Sequence, residues 1–152
     1  MYSEIVDHQR LSGAGYCFSA SAPPFLSAAA IAALTKLEQK PQLLQDLDNR
    51  AKMLYEGLKS IPGLKLKSQV PTPVMHLVLQ NSMDSVEIEG EAMLEIARRC
   101  LHAGVAVAAS KFAIMKGLQP SLMVCASTKL TDSQIARVIT VIKEVARSFF
   151  KE

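Results

Sequence analysis

Apolar residues recur along this chain at two periods, and the periods alternate. Leu44, Leu47, Ala51, Leu54 and Leu58 step by threes and fours, which predicts one face of a helix opened by Pro41 and stopped by Pro62-Gly63. Leu64-Lys65-Leu66-Lys67 then alternates, as a half-buried strand does, and Val74 to Leu79 predicts a second strand set off by Pro71 and Pro73. Asn81 to Glu89 is polar and acidic and reads as a surface loop. A third helix carries Met93, Ile96, Ala97, Cys100 and Leu101 on one side, with Gly104 placed as its C-terminal cap. Val105 to Ala109 and Leu122 to Ala126 read as strands. The last helix opens with Thr131-Asp132-Ser133-Gln134, a capping box. Its buried face is Ile135, Val138, Ile139, Ile142, Val145, Ala146 and Phe149.

The first forty residues follow neither period. A helix is expected from Pro24 to Gln39, because prolines are tolerated in a first turn where their missing N–H costs nothing. Before it, Gly13 and Gly15 break any helix, and Tyr16-Cys17-Phe18 reads as a short extended segment. The order of elements predicts an α+β fold, with a sheet of about four strands and helices on one face. The alanine-rich helix behind the Gly/Pro-rich lead-in has nothing of its own to bury against. The expectation is that the chain is a C-terminal piece of a longer protein.

Composition narrows the picture by exclusion. The chain has 152 residues, 49% apolar and 20% charged, so enough apolar material is present to offset the entropy of ordering. Seventeen Lys+Arg face fourteen Asp+Glu, a net charge of +3 without any basic block, which argues against nucleic acid as a partner. Cys17, Cys100 and Cys125 lie far apart with no CxxC pattern, so neither a disulfide framework nor a metal site is expected. Reduced, buried thiols are expected, which suits a cytosolic environment. The N-terminus lacks the basic start and apolar run of a signal peptide. Ala22 to Leu34 falls short of the about 20 strongly apolar residues that a membrane span needs, so a soluble chain is expected.

Few residues carry candidate chemistry. His76 sits in mid-strand and His102 at a helix end, where a cation complements the dipole, so both read as structural. His8 beside Asp7 reads as a local turn pair, and Arg98-Arg99 as a solvated or dipole-complementing pair near a helix end. Lys111 and Lys116 flank a loop able to face an anionic phosphate. The seven methionines read as core filler.

One stretch is more specific. Tyr16-Cys17-Phe18-Ser19-Ala20-Ser21-Ala22-Pro23-Pro24, leading into an alanine-rich helix, resembles a signature of the α-oxoamine synthases. These are pyridoxal-phosphate enzymes of aminotransferase fold type I that join an amino acid to an acyl-CoA and release carbon dioxide. With Asp7-His8-Gln9-Arg10-Leu11-Ser12-Gly13 added, the chain resembles the C-terminal part of the first, non-catalytic long-chain-base subunits of serine palmitoyltransferases within that family. The resemblance implies that residues 1–40 end the large cofactor domain and that residues 41–152 form the small C-terminal domain. It implies that Ser19, Ala20 and Ser21 stand where relatives reach the phosphate of the neighbouring subunit's cofactor. Ala20 occupies a position where many relatives have Thr, so one hydroxyl is missing. A hydroxyl and a backbone N–H at a helix start suit a phosphate. Ser19 and Ser21 serve equally as N-caps of the following helix, and both readings stand.

Two departures from the family pattern bear on activity. The cofactor lysine lies well upstream of the aromatic-Phe-Ser motif in the family, but only fifteen residues precede Tyr16 and none is Lys. The first lysine, Lys36, falls inside a predicted helix, with no reason for the lowered amine pKa that a Schiff base needs. The family also grips the substrate carboxylate with an Arg on a late strand, in a bidentate pair. Met123 stands at that position, in Leu122-Met123-Val124-Cys125.

No catalytic residue is therefore expected in this chain. The resemblance implies a transferase complex of the endoplasmic reticulum membrane, on its cytosolic face, that condenses L-serine with palmitoyl-CoA to 3-ketosphinganine. Pyridoxal phosphate would be carried by a catalytic second long-chain-base subunit, and this chain would complete the site at the heterodimer interface. Two other readings are a catalytic α-oxoamine synthase or aminotransferase cut downstream of its lysine, and a non-enzymatic α+β interaction domain.

Overall fold

A computed structural model describes residues 3–18, 23–110 and 119–151. The chain divides into two compact units, Met1–Lys40 and Pro41–Glu152.

The first unit is helical. Helix α1 spans Ser3–Ser12, α2 is the single turn Ala14–Cys17, and α3 spans Pro24–Gln39. Helix α3 has the bounds its prolines predict, with Pro23 at the N-cap position and Pro24 at N1. Helices α1 and α2 correct the sequence reading, which expected no helix before Pro24. Helix α1 is polar on most of its surface and buries no residue, so no apolar stripe announces it. Gly13 does break the helix, but only between α1 and α2: its N–H donates to the Gln9 carbonyl at 2.9 Å and it caps α2 in an extended conformation. Tyr16 and Cys17, expected in an extended segment, lie in that turn.

The second unit is the expected α+β arrangement. It runs α4 (Gln42–Leu58), β1 (Leu64–Leu66), β2 (Val74–Leu79), α5 (Val86–His102), β3 (Ala108–Ser110), β4 (Ser121–Cys125) and α6 (Asp132–Phe149). The four strands form one antiparallel sheet in the order β1-β2-β4-β3. Strand period sorts the side chains. Leu64, Met75, Leu77, Leu79, Leu122 and Val124 enter the core, where they meet Leu54 and Leu58 of α4, Met93 and Ile96 of α5, and Ile135 and Ile142 of α6. The opposite face carries Lys65, Val74, His76, Met123 and Cys125, only partly covered or exposed. Helices α4 and α6 approach closely at Gly57, where a Cβ would meet Ile139 Cγ1 at 2.7 Å. Arg50 ties α4 to the loop before α6 by donating from Nε to the Leu130 carbonyl at 2.6 Å.

Several boundaries differ from the sequence reading. Leu44 is exposed, and the buried stripe of α4 is Ala51, Leu54, Tyr55 and Leu58. Leu101 likewise faces outward, while Val141 joins the buried side of α6. The stretch Asn81 to Glu89 is not all loop. Ser85 caps α5, its Oγ accepting from the Ile88 N–H at 3.3 Å, and Glu87 and Glu89 occupy the first turn, where carboxylates complement the dipole. A hydrogen bond from its own backbone N–H, and then one from Ser85, hold the Glu87 carboxyl below the usual range. Glu89 is 6% exposed and accepts from the Met83 N–H at 3.0 Å.

Val105 is not in a strand because it closes a helix. Gly104, at φ +83, donates to the Leu101 carbonyl at 2.9 Å, and the Val105 N–H reaches the Cys100 carbonyl at 2.9 Å. That pair is a Schellman motif, so β3 starts only at Ala108. The capping box at Thr131 and Gln134 is present as expected.

Candidate functional site

Ser19, Ala20 and Ser21, the residues assigned to a cofactor phosphate by resemblance, lie outside the described residues, as do Lys111 and Lys116. Their flanks are described. On one side α2 leaves Tyr16 and Phe18 turned outward, Phe18 at 90% exposure. On the other side Pro23 adopts φ −56 and ψ 143 and holds the N-cap position of α3. Proline has no side-chain acceptor, so no serine fills that N-cap position. Pro24 removes one first-turn N–H, and Leu26 donates to the Pro23 carbonyl at 3.0 Å.

The lysines test whether this chain can hold an aldehyde cofactor covalently. A Schiff-base amine needs a sheltered position. Lys36 is exposed in the last turn of α3, and the other described lysines are exposed as well, except Lys143, which is half-buried on α6. The described residues therefore do not fit covalent attachment of such a group.

Strand β4 places Met123 on the sheet face away from the core, 36% exposed. Register sets it between His76 of β2 and Ala108 of β3. His76 Nδ1 lies 3.1 Å from Ser121 Oγ, so the imidazole is oriented by the residue two positions along β4 from its register partner Met123. Ser121 is itself buried. The sequence reading gave His76 a structural role and passed over Ser121. The alternation of the two strands puts both side chains on one face, but only their pairing register shows that they meet. Beside Met123 an apolar cleft of about 310 Å³ is lined by Leu54, Val107, Ala108, Cys125, Leu130 and Val138, among others. The described lining of this cleft holds no cation that could pair with a carboxylate.

The remaining candidates separate from one another. His8 is exposed on α1, where Asp7 faces Arg10 at 3.7 Å. His102 is exposed at the end of α5. Arg98 and Arg99 both bind Glu95, at 2.5 and 3.0 Å, and Arg99 stacks 5.5 Å from the Phe149 ring centroid. Cys100 is buried as expected, but Cys17 and Cys125 are exposed free thiols, Cys17 at the end of the short turn α2 and Cys125 on the face of β4 away from the core. Among the described residues no three His, Cys, Asp or Glu side chains converge on a metal position, and no helix is long and apolar enough to cross a membrane.

Comparison with known proteins gives a consistent answer. The model of the aminotransferase class I and II family matches residues 2–142. The chain is 36% identical over 147 residues to long chain base biosynthesis protein 1c of Oryza sativa subsp. japonica, covering 95% of this chain and 30% of the relative. It is 35% identical over 150 residues to serine palmitoyltransferase 1 of Dictyostelium discoideum, covering 93% of this chain and 31% of that protein. The chain thus spans about a third of the curated relatives it matches. Solved structures share the fold. A serine palmitoyltransferase with a PLP internal aldimine superposes with a TM-score of 0.73 at 21% identity, covering 97% of this chain and 35% of that one. 8-Amino-7-oxononanoate synthase from Francisella tularensis superposes with a TM-score of 0.73 at 16% identity, covering 99% and 41%.

Proposed function

This chain belongs to the aminotransferase class I and II family, and we propose that it works as the C-terminal region of a serine palmitoyltransferase subunit of the non-catalytic kind. In this reading residues 1–40 end the large domain and residues 41–152 form the small one. The assembly joins L-serine to palmitoyl-CoA and releases 3-ketosphinganine, CoA and carbon dioxide, on the cytosolic face of the endoplasmic reticulum membrane. Pyridoxal phosphate resides on a catalytic second long-chain-base subunit. This chain closes the reaction chamber at the heterodimer interface through residues 16–24, with Ser19 and Ser21 offering hydroxyls to the cofactor phosphate.

The observation that carries the reading is Met123. It stands on the open face of β4, beside His76, at the position where the family resemblance places a carboxylate-gripping Arg. A thioether accepts weakly and donates nothing, so it cannot replace a guanidinium fork. The similarity to relatives named long chain base biosynthesis protein and serine palmitoyltransferase supports the same assignment. A catalytic member would keep the cation.

Co-expression with a catalytic second subunit tests this. The two chains should co-purify and form 3-ketosphinganine from L-serine and palmitoyl-CoA, while either chain alone should not. Ser19→Ala in the assembly should weaken cofactor retention by about tenfold, the value of one charge-assisted hydrogen bond. Product formation by this chain without its partner would overturn the proposal. Unchanged cofactor retention in Ser19→Ala would remove Ser19 from the site.

A further inference from the structure

We propose that the cleft beside the edge strand β1 is a binding site for a phosphate-bearing anion. Register places its two cations. Lys65 pairs with Val78, and the Lys67 N–H donates to the His76 carbonyl at 2.9 Å, so both side chains leave the sheet on the face away from the core. Two residues apart on a strand, they stand about 7 Å from each other along its axis, a span that two phosphate oxygens or a diphosphate can bridge. Between and around them lies a cleft of about 380 Å³, lined further by Ser68, Gln69, Ser82 and Gln119. That volume is in the range of small-ligand sites.

Two described lysines of α4 and its C-cap are paired locally, Lys52 with Asp48 at 2.6 Å and Lys59 with Glu56 at 3.0 Å. Lys65 and Lys67 enter no ion pair among the described residues, and no described carboxylate lines the cleft. Beside Leu66, Val78 and Leu79, the polar side chains that complete the lining are hydroxyls and amides, neutral groups that donate to an anion without competing for the ammonium charges. Lysines on an edge strand also discourage strand-to-strand association. That role needs only charge. It requires neither a concave surface nor donors converging on it, and it produces no saturable binding. With a net charge of only +3 on the chain, attraction to an anion is local to this cleft rather than a property of the whole surface.

The phosphate can come from a soluble compound or from a lipid headgroup, and two arms separate the sources. Inorganic diphosphate is titrated into the full chain by calorimetry. Phosphatidylcholine vesicles, with and without phosphatidic acid, are used for co-sedimentation. Saturable diphosphate binding is expected, weakened by salt and weakened about tenfold by either Lys65→Gln or Lys67→Gln. Lys52→Gln, on α4, should leave it unchanged. Sedimentation that requires phosphatidic acid and is lost in the same variants assigns the phosphate to a headgroup. Diphosphate binding without sedimentation assigns it to a soluble ligand. No saturable binding in either arm, or binding unaltered in the Lys65→Gln/Lys67→Gln double variant, overturns the proposal.

Discussion

Gly63→Ala should destabilise the second unit, and a double-mutant cycle can separate the two reasons. Gly63 follows Pro62 at the entry to β1 and adopts φ +73. A Cβ there costs about 1–2 kcal/mol in the left-handed region, and the stiffer unfolded chain returns up to about 1 kcal/mol. The second cost is steric. The new Cβ would fall against the Phe150 ring, 2.6 Å from Cγ and closer still to Cδ2 and Cε2. Phe150 is only 38% exposed and makes an edge-on contact with Phe149 at 5.2 Å between centroids. Swinging the ring away forfeits that contact, about 1 kcal/mol, together with part of its burial. The expected loss is about 2–3 kcal/mol, read from urea denaturation followed by far-ultraviolet circular dichroism. In a Phe150→Ala background the steric part disappears and Gly63→Ala should cost only about 1 kcal/mol. Additivity of the two changes within about 0.5 kcal/mol, or a neutral Gly63→Ala, would show that the Phe150 ring does not resist the new Cβ.

Burial pushes the Cys100 thiol up from 9.0 to about 11. The folded value lies above the unfolded one, so this contribution to stability is complete below about pH 9 and is lost as pH rises through about 11. Denaturation midpoints should fall more steeply across that window in the native chain than in Cys100→Ala, and equal slopes would contradict the assignment. A thiol reagent at pH 8 should modify Cys17 and Cys125 and leave Cys100 unmodified until the chain unfolds. Thr131→Ala removes the Oγ1 that accepts from the Gln134 N–H at 3.3 Å and leaves only the other half of the capping box, the residue-131 backbone N–H donating to Gln134 Oε1 at 2.9 Å. It should cost about 1 kcal/mol by chemical denaturation, with Thr131→Ser restoring most of it.

The second unit was legible wherever burial writes a period. Strand β2 has the bounds that its largely apolar run after Pro71 and Pro73 predicts, and α6 announces itself through a capping box followed by a broad apolar face. The errors fall where another force sets the structure. Helix α1 forms from residues that bury nothing, so hydrophobic spacing is silent there. The acidic run before Met93 looked like a loop because charge is usually a surface signal. At Glu87 and Glu89 it marks the favourable end of a helix dipole. Val105 is apolar and β-branched, yet backbone hydrogen bonds from a Schellman motif claim it. Leu44 and Leu101 satisfy the helical step but lie at the rim of their stripes, where the core has ended.

The site was legible to a different degree. The aromatic-Phe-Ser signature pointed to a family that the comparison with known proteins bears out. The reading of Met123 as standing in for an Arg rests on the resemblance alone. Its neighbours were not visible in one dimension. That Met123 stands between His76 and Ala108, and that His76 leans on Ser121, depends on the register of three strands drawn from distant parts of the chain. Lys65 and Lys67 gave only the alternation of a strand. The cleft beside them depends on residues from Ser68 to Gln119 brought alongside by the sheet.

In the proposed function the reactive amine belongs to another polypeptide. Borohydride reduction of the assembled enzyme, followed by peptide mass spectrometry of both chains, reads that directly. A stoichiometric pyridoxyl adduct is expected on one lysine of the catalytic subunit and none on any lysine of this chain, Lys36 and Lys143 included. A stoichiometric adduct within these 152 residues would contradict it.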